Sequence, residues 1–150
     1  MNAEKLRLGN YVTINNSEYW PQLKGVLMRV CGISEKEHKD FPDSKWSISL
    51  IDTSKFPSTY SQFNQYIEPI ELTEEWLIKF GFHKHRPGAG GQDQWAGLTA
   101  WSIHDSNWLF RGSPNDLRLV GYFNTKLKYV HELQNLYFFL TGEELKLITI

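Results

Sequence analysis

The chain has 150 residues, 41% of them hydrophobic and 22% charged, and its sixteen basic and seventeen acidic side chains give a net charge of -1. That composition excludes a disordered chain and argues against non-specific nucleic-acid binding by the whole surface, while leaving room for a local basic face. One cysteine, Cys31, excludes an internal disulfide and a multi-cysteine zinc site; with no apolar run near the roughly 18 residues of a membrane span and no apolar signal-peptide core at its start, the chain reads as a single-domain cytoplasmic protein that does not enter the membrane.

Turn signals divide the chain into three blocks. The first, to about residue 70, reads as β. Strands are expected at 11–14, at 25–31 (Gly-Val-Leu-Met-Arg-Val-Cys) and at 46–51, where Trp46, Ile48 and Leu50 alternate with Ser47 and Ser49. The charged stretch 34–44 between the last two reads as a solvated loop or hairpin tip. Short strands joined by polar loops predict a small, strongly bent sheet or partial barrel.

The second block opens with Leu72-Thr73-Glu74-Glu75-Trp76-Leu77. Thr73 is a candidate N-cap, two carboxylates sit in the first turn, and Leu72 is spaced to pack on Leu77. With Lys79 in the last turn and Gly81 as the left-handed terminator, this predicts a two-turn helix. Residues 83–97, with Pro87, Gly88, Gly90, Gly91 and Gly97, read as loop. Strands at 98–103, 108–111 and 117–123, separated by Asp-Ser-Asn and Ser-Pro-Asn-Asp turns, predict an antiparallel meander. The third block is an amphipathic helix over 127–141, closed by Gly142, with Val130, Leu133, Tyr137 and Leu140 at helical spacing and Leu136 widening the stripe. Periodicity does not say whether that stripe covers its own sheet or a partner. The tail 145–150 reads as an edge strand. The fold class is therefore α+β, mostly antiparallel sheet with a short central and a C-terminal helix.

Catalytic signatures are sparse. The loop Arg86-Pro87-Gly88-Ala89-Gly90-Gly91-Gln92 has glycines close enough for backbone N–H groups to converge on an anion. It leaves a helix rather than entering one, however, and lacks a Gly-Lys-Ser/Thr ending, so it fails as an NTPase motif. His83 and His85, with His104 and Asp105 from the following hairpin, make a metal site conceivable, but nothing in the spacing demands one. Cys31 follows an apolar run and reads as a core thiol. Neither a nucleophile elbow nor a pair of carboxylates with split pKa values is present. The expectation is a protein that is not an enzyme and carries no cofactor.

Charge is segregated along the chain. Residues 79–131 hold Lys79, Lys84, Arg86, Arg111, Arg118, Lys126 and Lys128 against three aspartates, a net +4, which leaves -5 for the remainder. Trp95, Trp101, Trp108 and Tyr122 lie in the same stretch. Cationic groups beside aromatic rings suit a ligand made of phosphates and a base. The competing and more ordinary reading is that those rings pack the core and the charges are solvated strand faces.

Three stretches together carry a resemblance: Leu6-Arg7-Leu8-Gly9-Asn10; Ile67-Glu68-Pro69-Ile70-Glu71-Leu72-Thr73-Glu74-Glu75-Trp76-Leu77 with Lys79-Phe80-Gly81-Phe82; and Tyr129-Val130-His131-Glu132-Leu133-Gln134-Asn135-Leu136-Tyr137-Phe138 with Leu140-Thr141-Gly142-Glu143-Glu144-Leu145. They resemble a family of small uncharacterised proteins from gut anaerobic bacteria and their phages and mobile elements. Relatives often have Pro where this chain has Glu71, and a shorter region where it has residues 83–97. The resemblance brings no catalytic residues or cofactor. It implies a bacterial-host context in which small proteins act by binding host proteins, nucleic acid or nucleotide signals of immunity.

Three readings follow. In the first, a non-enzymatic binding protein sequesters a small anionic, nucleotide-like ligand. Arg86, Arg111, Arg118, Lys126 and Lys128 meet phosphate, Gly88, Gly90 and Gly91 supply backbone donors, and Trp95, Trp101 or Trp108 stacks a base. In the second, the chain is a protein-interaction module that binds a host protein or forms a homo-oligomer through its terminal helix, where Tyr129, Tyr137 and Phe138 spread beyond one stripe. The last is a metal-dependent hydrolase built on His83, His85 and His104.

Overall fold

A computed structural model describes residues 1–15, 20–35, 45–53, 58–85, 100–103, 109–112, 117–119 and 126–148. The fold is α+β, and the described residues form ten mostly short antiparallel strands and two α-helices. Its contacts cluster in two compact units: Met1–Ile70 with Val130–Gly142, and Glu71–Tyr129 with Glu143–Ile150.

The first unit is a curled half-barrel of β1 (Tyr11–Ile14), β2 (Leu27–Glu35), β3 (Trp46–Asp52), β4 (Thr59–Phe63) and β5 (Ile67–Glu68), in the order β4-β3-β2-β1-β5. β1 has the bounds its sequence predicts. β2 is longer than expected and runs to Glu35, because a bulge lets it keep pairing with β3: Val30 stands opposite Leu50 and Gly32 opposite Ser49, leaving Cys31 as the extra residue. A bulge bends the strand and sharpens its twist, which curls the sheet. Gly32 has little room for a side chain, since a Cβ there would lie 3.1 Å from the Ser49 Cβ. Alternation turns Val12, Ile14, Met28, Val30, Ile48 and Leu50 into one core, joined by Ala3, Leu6, Leu23 and Ile67.

The terminal helix α2 (Val130–Thr141) belongs to this unit. It starts three residues later than expected, after the short strand β10 (Lys126–Leu127) of the second unit. Its tether to β1 is polar. Gln134, 0% exposed, accepts a hydrogen bond from the Tyr11 N–H at 2.9 Å and donates to the Gly9 carbonyl at 3.1 Å. Asn135 donates to the Lys5 carbonyl at 2.8 Å and accepts from the buried Asn10 amide at 2.9 Å. An amide side chain thus meets backbone groups at the start of β1 as a paired strand would. Val130 and Leu133 are buried, as the stripe predicts, whereas Leu136, Tyr137 and Leu140 are only half-buried, and the buried face includes His131 and Gln134.

The second unit holds α1 (Glu74–Lys79) and the sheet β6 (Phe82–His85), β7 (Ala100–Ile103), β8 (Leu109–Arg111), β9 (Leu117–Leu119) and β10, in the order β10-β9-β8-β7-β6. α1 and its flanking residues follow the local signals closely. Thr73 occupies the N-cap position, Leu72 and Leu77 are buried, and Gly81 has φ +84°. The Thr73 side chain makes no capping hydrogen bond; its carbonyl accepts from the Trp76 and Leu77 N–H groups. Residues 83–85, expected as loop, are strand, because each pairs with a residue of β7. The tail is also different: 143–148 form no strand, and Ile148 N–H donates to the Lys79 carbonyl at 2.8 Å.

Candidate anion-binding face

The sheet of the second unit sorts its side chains by alternation. Phe82, Trp101, Ile103, Phe110, Leu117, Leu119 and Leu127 are buried. Register places Lys84, Trp101, Phe110 and Leu119 opposite one another in turn, and Leu117 opposite Leu127. Directly opposed residues share a face, so this is the core face, and the Phe82 and Phe110 rings meet on it edge to face at 5.5 Å. Lys84 also belongs to it at the rim. Its Nζ lies 2.9 Å from both carboxylate oxygens of Glu74 and 5.5 Å from the centre of the Trp101 ring.

On the other face one row of register positions crosses all five strands, and a shorter row sets Leu109 of β8 opposite Ser102. His85 pairs with Ala100, Ala100 with Arg111, Arg111 with Arg118, and Arg118 with Lys126. Three consecutive positions of that row are cationic. Arg118 and Lys126 are both exposed. The neighbouring row holds His83 opposite Ser102. His83 and His85 are exposed, and the His85 Nε2 lies 2.7 Å from the Ser102 Oγ. Adjacent strands lie about 4.8 Å apart, so the three cationic positions span about 10 Å across the sheet.

Of the expected ligand-binding residues, this register brings Arg111, Arg118 and Lys126 into one row. Lys128 follows β10 and is exposed, with its carbonyl accepting from the Leu72 N–H and its Nζ 5.1 Å from the Tyr129 ring. Trp101 is corrected. It is 1% exposed on the core face, so its ring packs the sheet and does not stack a ligand. Arg86, Gly88, Gly90, Gly91, Trp95 and Trp108 lie outside the described residues, as do His104 and Asp105. Among the described residues no three His, Cys, Asp or Glu side chains converge as a metal would require. Ser102, beside His83 and His85 on this face, is absent from the expected ligand-binding residues. Its signal was the alternation of His83 and His85, which acquires a partner strand only once 82–85 is read as β.

In the first unit, an open groove of about 640 Å³ is lined by Arg7, Leu8, Cys31, Gly32, Ile33 and Phe138. The Arg7 guanidinium lies 3.6 Å over the Phe138 ring, a cation–π contact. The Cys31 thiol, placed by the bulge, is half-buried. No helix among the described residues is long and apolar enough to cross a membrane.

Comparison with family models, with curated proteins and with solved structures finds no match to this chain.

Proposed function

We propose that this chain is a non-enzymatic binding protein that sequesters a small anionic, nucleotide-like ligand on the outer face of the β6–β10 sheet. The observation that supports it is the row Arg111–Arg118–Lys126, three cationic positions on three adjacent strands. Guanidinium groups bind phosphate with charge-assisted, often bidentate hydrogen bonds. The resemblance to proteins of phages and mobile elements adds a role: capture of a nucleotide signal of host immunity in the bacterial cytoplasm, countering host defence.

Titration calorimetry with ADP tests the reading. Wild-type protein is expected to bind, and Arg118→Ala and Lys126→Ala each to weaken binding by about 1.5–3 kcal/mol, the usual worth of a hydrogen bond to a charged group. Binding unchanged in both variants overturns it.

A second reading, a homo-oligomer or a module for a host protein, is favoured by Phe139 on α2, 75% exposed, and by Leu8, 56% exposed. Sedimentation at micromolar concentration decides it. A dimer abolished by Phe139→Glu supports this reading, and a monomer with no co-purifying host protein overturns it.

A further inference from the structure

The outer face of the β6–β10 sheet changes character between its two sides. The row of Ala100 continues on β8, β9 and β10 as Arg111, Arg118 and Lys126, and the row of Ser102 meets Leu109 on β8; on β7 itself Ala100 and Ser102 are both small and half-buried. Beyond β7, the edge strand β6 sets His85 opposite Ala100 and His83 opposite Ser102. A low floor one strand wide thus runs between two imidazole positions on β6 and the Arg111 and Leu109 positions on β8, about 10 Å from β6 to β8 at the usual strand spacing.

That floor has the chemistry a planar heterocycle needs. Histidine rings stack on bases, and a hydroxyl both donates and accepts hydrogen bonds to a base edge. The 2.7 Å contact between His85 Nε2 and Ser102 Oγ fixes the ring and the hydroxyl relative to each other on the same face. A hydrogen bond between them leaves the hydroxyl further capacity, since it carries one donor and two acceptor sites. The opposite core face offers no such place, being lined by buried Trp101, Ile103, Phe110 and Leu119.

Resting on the anion-binding reading above, we infer that β7 is the floor of a nucleobase subsite: the base lies over Ala100 and Ser102 beside His83 and His85, and its phosphates extend across β8 to Arg118 and Lys126. The ligand class is a nucleotide carrying a diphosphate, and His83, His85 and Ser102 are its specificity-determining side chains.

Calorimetric titration of the full chain with inorganic pyrophosphate and with ADP, GDP, CDP and UDP separates the two claims. At least one nucleoside diphosphate is expected to bind about tenfold more tightly than pyrophosphate, the gain of one stacked base. The double variant His85→Ala/Ser102→Ala should bring that nucleotide to the pyrophosphate level while leaving pyrophosphate affinity within about twofold, and Arg118→Ala should weaken both probes. If wild-type protein binds neither pyrophosphate nor any nucleotide, the anion-binding reading itself falls. If pyrophosphate binds and no nucleotide binds more tightly, or the preferred nucleotide is insensitive to the double variant, the base subsite falls and the cationic row stands. The comparison of probes on wild-type protein needs no variant to fold.

Discussion

His131 is 2% exposed, and burial lowers its pKa below the ordinary value of 6.5, an effect that Glu132 opposes and Lys5 reinforces. The unfolded chain therefore holds this proton more tightly than the folded one. The contribution of His131 to stability is fully present above the unfolded pKa and is lost as pH falls from there toward the folded pKa. Urea midpoints of the wild type are expected to fall between about pH 7.5 and pH 5. In His131→Gln that fall should be smaller; an unchanged pH slope would remove the assignment. Gln134 acts through hydrogen bonds instead. Replacing it by Leu removes this partner from the buried Tyr11 N–H and the part-buried Gly9 carbonyl, at about 1–3 kcal/mol for a fully buried group and less for a part-buried one. The expected loss is roughly 3 kcal/mol in urea unfolding, with faster hydrogen exchange at the Tyr11 amide.

At the scale of elements, the helix ends obey local rules. Gly142 closes α2 with φ +74° and its N–H bonded to the Phe138 carbonyl at 2.8 Å. A Cβ there would meet nothing within 4 Å, so the cost of Gly142→Ala is conformational alone. Thermal or urea denaturation should show a loss of about 1 kcal/mol for Ala and less for Asn, which tolerates the left-handed region better. Strands behave differently. β6 has no strand signal of its own, since Phe-His-Lys-His sits ahead of a glycine-rich stretch. What makes it a strand is four consecutive register partners on β7, from Ile103 to Ala100. The same pairing sends Trp101 to the core face and the two histidines to the other, so the face of each candidate ligand residue follows from register partners seven to nineteen residues away.

For the whole molecule, the two units interleave in sequence, because 130–142 belongs to the first and 143–150 to the second. Asn10, Gly9, Tyr11 and Lys5 all depend on Gln134 and Asn135, more than 120 residues later. A chain ended after Tyr129 is therefore expected to lose hydrogen-exchange protection in β1, although all of β1 to β5 remains in it. Retained protection would show that the helix only decorates the sheet. Charge segregation also acts at this scale. The stretch with net +4 includes the strands that carry the cationic row, so on the proposed anion-binding reading ADP affinity should fall as salt shortens the Debye length from about 10 Å at 0.1 M to about 3 Å at 1 M.

Read alone, the sequence determined the α+β class, β1, the position of α1, the glycines that end both helices, and the concentration of cations in residues 79–131. Each of these rests on physics that operates within a few residues: capping, alternation, the freedom of glycine at positive φ, and composition. Tertiary structure decided that 83–85 is strand, that Trp101 is core, that α2 starts at Val130 and is tied to β1 by amides, and that Arg111, Arg118 and Lys126 stand in one row. Those outcomes depend on which strands pair and in what register. A shift by one residue would move every side chain to the other face, and no local propensity sets that register across loops of these lengths.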